Sequence, residues 1–265
     1  MNITSVTDKK IIEKHFRKNT DLNIYSIGDL DDFFWKYTKW FAIGPETEPC
    51  QIVLLYTGAQ LPTFLAIAEN NIENMILLIE QIKDKLPGRI YCHLSKGIIK
   101  AFGNNQEITD HGVYYKMSLK DKNSLIKDVS GNIRRLSTDD IEIINRLYSE
   151  SYPENFFDKR MLETGKYFGY FDSEKLTGIA GIHVYSQQYK VATLGNITIS
   201  PSHRGKAVCQ KLTSALCLDL LLSVDNIGLN VSINNLPAVN CYRRIGFEII
   251  GEYEEYLIQN LNISK

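Results

Sequence analysis

The chain lacks an excess of charge of either sign: 30 Lys and Arg stand against 31 Asp and Glu, a net charge of −1 at pH 7 over 265 residues. With no long basic stripe either, the electrostatic footprint of a nucleic-acid-binding protein is missing. The five cysteines, Cys50, Cys92, Cys209, Cys217 and Cys241, are odd in number, far apart and free of C-x-x-C spacing. That pattern argues against a disulfide framework or a zinc site, so a reducing cytoplasm is the expected compartment. There is no run of about 18 apolar residues, and the opening M-N-I-T-S-V-T-D-K-K has no apolar core of the secretory kind. Neither secretion nor contact with a membrane is expected. His93 and His111 have no carboxylate or second histidine at metal spacing, so both are read as structural and no metal is expected.

What is present is a regular succession of elements. In the N-terminal half, helices are expected over residues 7–18 and 29–40, the second crowded with Phe33, Phe34, Trp35, Tyr37 and Trp40, aromatics suited to core packing. Strands at 51–56 and 63–68 are joined through Thr57-Gly58-Ala59. Ile72, Met75, Ile76, Ile79 and Leu86 then keep helical spacing until Pro87-Gly88. A strand at 89–94, a short helix at 98–102 and strands at 106–110 and 113–119 complete this half. Residues 120–132 are polar and include Ser130-Gly131-Asn132, which places a boundary near residue 129 and domains at 1–129 and 130–265.

The C-terminal half opens with a strand at 133–136 running into Ser137-Thr138-Asp139-Asp140, a hydroxyl cap followed by acids. A helix carries Ile141, Ile144, Leu147 and Tyr148, a second short helix is expected at 157–164, and strands at 167–171, 176–185 and 191–199 read as an antiparallel meander. The last of these, L-G-N-I-T-I-S-P, leads into S-H-R-G-K-A-V-C, a basic glycine turn that opens a helix with Val208, Leu212, Ala215 and Leu216 on one face. The first N–H groups of such a helix lack intrahelical partners and point with the positive end of its dipole at the turn, so an anion is the expected guest. A strand at 227–231, the break S-I-N-N-L-P, a helix bearing Ala238, Tyr242 and Ile245 and ended by Gly246, and strands at 247–253 and 255–258 close the chain.

The strand L-G-N-I-T-I-S-P, the turn S-H-R-G-K-A-V-C and, about thirty residues on, N-N-L-P-A-V-N-C-Y-R-R-I-G-F resemble the GNAT N-acyltransferase superfamily in order and spacing, over roughly residues 133–260. The resemblance implies an α/β (α+β) fold, a mixed sheet flanked by helices, with acetyl-CoA or another acyl-CoA as cosubstrate in a cleft where two parallel strands splay. The pantetheine amides would pair with the backbone of Ile197, Thr198 and Ile199. The pyrophosphate would rest on N–H groups from Gly205, Lys206, Ala207, Val208 and Cys209, with charge from Arg204 and Lys206. Asn235 would lie beside the cofactor arm, Tyr242 would protonate the leaving thiolate, and a backbone N–H near Ile197 would hold the oxyanion.

The turn departs from the family pattern at Ala207, where Gly is expected, and at Cys209, where Gly or Ala is expected. Ala207 adds a methyl group at a point of close backbone approach to phosphate, with helical backbone open to it, and Cys209 is read as a small helix-facing residue in place of Ala. His183 and Glu154 are the candidate bases, with no family motif behind either, and His203 is read as a surface residue. Glu252, Glu254 and Glu255 suit an exposed charged strand edge better than an acceptor site. The element order of the N-terminal half repeats the later order of the C-terminal half without its basic turn, so a tandem, degenerate GNAT-like lobe that shapes the acceptor site is expected. The function implied is transfer of acetyl from acetyl-CoA to a primary amine of a small molecule or amino-acid-like acceptor. The rival is a non-catalytic acyl-CoA-binding or regulatory protein.

Overall fold

A computed structural model describes residues 2–104, 106–129 and 131–260. The chain divides into two compact units, one made of the residues up to Lys116 together with those from Gly251 on, the other of Met117–Ile250.

Unit 1 contains β1 (Ile3–Ser5), α1 (Lys9–Phe16), α2 (Ile24–Gly28), α3 (Asp32–Trp35), β2 (Thr38–Ile43), β3 (Gln51–Tyr56), β4 (Thr63–Ala66), α4 (Ile72–Ile82), β5 (Arg89–Leu94) and most of β6 (Gln106–Leu119). Asp8 caps α1 by accepting from the Lys10 N–H, which satisfies one of the helix's unpaired donors. β1, β2, β3 and β4 pair antiparallel in turn, and β4 pairs parallel with β5 through the crossover helix α4. Met75, Leu78, Ile79 and Ile82 of α4 are buried in a core shared with Phe41, Val53, Leu55 and Phe64. The helix expected at 29–40 stops after one turn. Pairing of Thr38–Ile43 with β3 outweighs local preference there, and Trp40 becomes a buried strand residue whose indole N–H donates to Thr38 Oγ1 at 2.8 Å. The two strands expected at 106–119 are one, with Gly112 in left-handed backbone at φ 91°.

Unit 2 contains β7 (Ile133–Arg135), α5 (Ile141–Ser151), β8 (Phe168–Asp172), β9 (Lys175–Ser186), β10 (Val191–Ile199), α6 (Val208–Leu220), β11 (Asn226–Ser232), α7 (Leu236–Arg244) and the start of β12 (Phe247–Asn260). Ser137 and Asp140 form a reciprocal capping box ahead of α5, and Asp140 is further held by Arg134 at 2.6 Å. β7, β8, β9 and β10 are antiparallel, whereas β10 and β11 are parallel and joined by α6. The later part of β12, Glu254–Gln259, pairs antiparallel with β5 and so completes the sheet of unit 1. The two strands expected at 247–258 are therefore one.

The polar stretch before β7 belongs to unit 2 instead of dividing the chain. The N–H groups of Lys120 and Asp121 donate to Gly246 O, the Ile126 N–H donates to Ser214 Oγ at 3.1 Å, and Leu125 is buried. Those bonds move the division from residue 129 to Lys116/Met117 and add a second one at Ile250/Gly251. Ser130, part of the expected boundary, lies outside the described residues.

Unit 1 repeats the architecture of unit 2: a first strand, helices, two antiparallel strands, a third strand, a crossover helix, a parallel strand, a helical turn and a long last strand. The short helix expected at 98–102 is a 3-10 turn that takes the place of α7 in this repeat. Both crossover helices start from a left-handed residue, Asn71 at φ 58° before α4 and Ala207 at φ 59° before α6.

Candidate active site

The opening in unit 2 begins where a strand pair stops. β10 and β11 are in register from Val191↔Asn226 to Leu194↔Leu229, and no pairing continues although β10 runs to Ile199 and β11 to Ser232. On its other side β10 pairs Gly195 with Gly181 and then Thr198 with Ile179, so Asn196 and Ile197 face the single residue Ala180. This is a β-bulge, which bends the strand and interrupts its ladder. Asn196 takes the left-handed conformation at φ 53°, which asparagine tolerates better than most residues.

Four hydrogen bonds fix the bulge. Tyr148 Oη donates to Asn196 O at 2.7 Å, the Phe156 N–H donates to Asn196 Oδ1 at 3.2 Å, Asn196 Nδ2 donates to Tyr167 Oη at 3.1 Å, and Tyr167 Oη donates to Ile182 O at 3.0 Å. The tyrosines are buried and the bonds are shielded, so the distortion is held rigidly. The backbone of Gly195 to Ile199 is left with an edge that β11 does not cover.

At the end of that edge the chain makes a 3-10 turn, Pro201–His203, and reaches Arg204, Gly205, Lys206 and Ala207, all exposed. Arg204 Nε donates to Ile199 O at 3.0 Å, which ties the turn to the strand. Ala207 takes not the helical backbone open to it but the left-handed one, at φ 59° and ψ 9°. The chain must reverse within one residue to enter α6, and a helical residue at 207 would carry it past. No side chain caps α6, so its first N–H groups face the turn without a side-chain acceptor, in the geometry that receives an anion. His203 is no plain surface residue. Its Nδ1 lies 2.9 Å from Ser200 Oγ and its Nε2 3.0 Å from Asp172 Oδ2, stapling the turn to β8.

Tyr242, on α7, is buried, and its hydroxyl hydrogen-bonds to no other described residue. Burial pushes the phenol well above its ordinary pKa, with Cys209, Cys241, Tyr152 and Cys217 nearby adding to the effect, so it is protonated at neutral pH. Cys209 is more than a small helix residue: Cys241 Sγ donates to its Sγ at 2.7 Å. Asn235 is the N-cap of α7, its Oδ1 accepting from the Ala238 N–H at 3.3 Å. His183, on β9, lies flat against Gly195, where a Cβ would fall inside its ring, and burial lowers its pKa to about 4. The structure thus brings His183 beside the bulge and Tyr242 beside the start of α6. Glu154 is exposed in the loop after α5 whose Phe156 N–H holds Asn196.

Glu255 is not on an exposed edge. It is buried in unit 1, accepts from the Tyr91 and Tyr253 hydroxyls, and lies 3.5 Å from His93 Nε2, which gives His93 a carboxylate neighbour from far along the chain. Burial raises its carboxyl pKa. No group of three His, Cys, Asp or Glu side chains suited to a metal occurs among the described residues. Sequence reasoning missed Asn196, Tyr148 and Tyr167. The one local signal was Gly195-Asn196 inside an apolar strand, a bulge signature.

The sequence model of the acetyltransferase (GNAT) family matches residues 133–247. A streptothricin acetyltransferase from Escherichia coli is 31% identical over 121 residues, 44% of this chain and 66% of that protein, so the chain spans just under two thirds of that relative. Among solved structures, a Drosophila protein aligns over 97% of this chain and 98% of its own with a TM-score of 0.75 at 12% identity. A tandem GNAT protein from the clavulanic acid biosynthesis pathway aligns over 98% of this chain and 99% of its own with a TM-score of 0.57 at 13% identity. No helix among the described residues is long and apolar enough to cross a membrane. Residues 133–247 are a domain of the GNAT acetyltransferase family, and the chain has the fold of a tandem GNAT protein, with unit 1 as the GNAT-like second lobe.

Proposed function

We propose that the chain is an N-acetyltransferase that moves an acetyl group from acetyl-CoA to a primary amine of a small molecule or amino-acid-like acceptor by direct attack, in a reducing cytoplasm and with no metal. The observation that carries this reading is the uncovered edge of β10 beyond Leu194, continuous with the exposed basic turn at Arg204–Ala207. An amide chain ending in a pyrophosphate matches that sequence of surfaces: strand-like pairing at Ile197–Ile199, then helix N–H groups and cationic side chains at the turn. Asn235, its oxygen committed to the cap of α7, keeps its amide N–H groups for the cofactor arm.

In the reaction, the acceptor nitrogen attacks the thioester carbonyl, and the oxyanion forms against backbone N–H groups at the Asn196–Ile197 bulge. Collapse breaks the C–S bond, and Tyr242 gives its proton to the departing sulfur. His183, beside the bulge, relays the proton lost by the amine to water, because burial disfavours its charged form and it cannot keep that proton. The test is release of CoA thiol from acetyl-CoA across a panel of primary amines that includes streptothricin, the compound in the relative's name. Amine-dependent release that falls in Tyr242→Phe is expected. Binding of acetyl-CoA with no amine-stimulated release, and no effect of Tyr242→Phe, would replace this reading by that of a non-catalytic acyl-CoA-binding protein.

A further inference from the structure

We infer that Cys209 and Cys241 are a modification site, a dithiol that closes reversibly to a disulfide by exchange with a low-molecular-weight disulfide and so clamps the first turn of α6 to α7. The two residues come from different helices, 32 positions apart, yet their sulfurs are 2.7 Å apart, with Thr213 Oγ1 at 3.9 Å from Cys209 Sγ. A disulfide needs about 2.05 Å between sulfurs, a further approach that side-chain rotation can supply. The pair is also graded for exchange. Cys209 is partly exposed, and the thiol that Cys241 donates lowers its pKa despite burial. Cys241 is buried, and the same hydrogen bond, with burial, raises its pKa. Cys209 is therefore the better thiolate of the two, as an attacking cysteine requires, and Cys241, 2.7 Å away, is placed to resolve. Cys92 and Cys217, buried with their thiols pushed up by desolvation, offer no such chemistry.

The chemistry balances. Cys209 loses its proton to solvent and its thiolate attacks one sulfur of RSSR, forming Cys209–S–S–R and releasing RS⁻. Cys241, deprotonated in turn, attacks the Cys209 sulfur and expels the second RS⁻. The two leaving thiolates take up the two protons, so two protein thiols are oxidised and one RSSR is reduced to two RSH. The consequence for function rests on the proposed acetyl-CoA site: the Cys209 N–H belongs to the pyrophosphate turn, and Cys241 adjoins Tyr242. The cross-link itself does not depend on that reading.

The test uses the full chain with the exposed Cys50 replaced, Cys50→Ser, incubated folded with oxidised glutathione, alkylated and digested for mass spectrometry. Peptides joined through Cys209 and Cys241, lost on adding dithiothreitol and absent from a Cys209→Ala variant with unchanged circular dichroism, are expected. Recovery of both cysteines separately alkylated, or a glutathione adduct that stays on Cys209, overturns the proposal. Calorimetry on the same samples should show acetyl-CoA binding weakened at least about tenfold by the cross-link. Equal affinity in both forms overturns the clamping of the site. If neither form binds acetyl-CoA but the linked peptide appears, the proposed function has failed and the dithiol stands.

Discussion

Replacing Ala207 by glycine should stabilise unit 2. Ala207 is exposed and left-handed at φ 59°, a conformation that costs a residue with a Cβ about 1–2 kcal/mol. Glycine removes that cost but loses about 0.5–1 kcal/mol through its greater freedom in the unfolded chain, leaving a net gain of roughly 0.5–1 kcal/mol. Gly205 provides the converse. It sits at φ 75° with no atom within 4 Å of where a Cβ would stand, so Gly205→Ala adds backbone strain and no clash. A loss of about 1 kcal/mol is expected. Both tryptophans, Trp35 and Trp40, lie in unit 1, so tryptophan fluorescence would miss the effect. Urea unfolding should be followed by hydrogen exchange of the α6 amides, where a slope near 2 kcal/mol/M converts the expected change into a midpoint shift of about 0.3–0.5 M. A midpoint for Ala207→Gly that stays still or falls, or a Gly205→Ala protein as stable as the parent, would refute the assignment of strain to this turn.

Tyr242→Phe should leave stability nearly unchanged, because the hydroxyl bonds to no described residue, while kcat for acetyl transfer falls about 100-fold or more with little change in KM; steady-state kinetics and urea unfolding check the two halves. Asn196→Ala breaks the bonds to Phe156 and Tyr167 and puts alanine at φ 53°, so denaturant titration should show a loss of about 2–3 kcal/mol together with lost activity. His183 has its pKa lowered from 6.5 to about 4, so its contribution is fully present above pH 6.5. It is lost as pH falls toward 4, where the unfolded chain binds a proton that the native ring refuses. That is about 3 kcal/mol over the window, and His183→Gln should reduce the slope of the stability-pH curve there, leaving the part due to His15, whose pKa burial also lowers to about 4; an unchanged curve would contradict it. Calorimetric titration with acetyl-CoA should saturate near one equivalent per chain, and two equivalents would show that unit 1 keeps a site of its own.

Local signals made the strand at Val191–Ile199 and the helix start near Val208 legible, because alternation, Pro201 and Gly205 act within a few residues. What made the site was not local. The bulge at Asn196 depends on Tyr148, Phe156 and Tyr167, which arrive from 29 to 48 positions away. The left-handed state of Ala207 reflects the path the chain must take into α6, against alanine's own preference. Cys209 and Cys241 looked unrelated in sequence, since only the packing of α6 on α7 brings their sulfurs together. β2 was hidden under a helical aromatic pattern, and the unit boundary was hidden because residues 120–126, although polar, spend their N–H groups on Gly246 and Ser214.

One repeat leaves a strand edge unpaired at this point and the other does not. In unit 1, β4 and β5 stay paired to the end of both strands, Ala66↔Leu94, and the Ser95 N–H then donates to Ala66 O while Ser95 Oγ accepts from the Ala68 N–H at 2.9 Å. β4 thus ends where its pairing with β5 ends, whereas β10 runs on from Leu194 to Ile199 without β11. β4 has no counterpart of the Asn196 bulge in its pairing with β3, Leu54↔Leu65 to Tyr56↔Thr63. The left-handed entry to the crossover helix survives at Asn71, but the turn before it carries Glu69, bonded to Asn23, where unit 2 has Arg204 and Lys206. An anion arriving there would meet a carboxylate. Gln51 Nε2 donates to Asn70 O at 2.7 Å and fastens the turn to β3. The scaffold of the repeat, strand then left-handed residue then helix, is therefore separable from its chemistry. The chemistry proposed for unit 2 rests on a bulge beside the uncovered strand edge and a cationic turn at the end of that edge, and unit 2 alone combines them among the described residues.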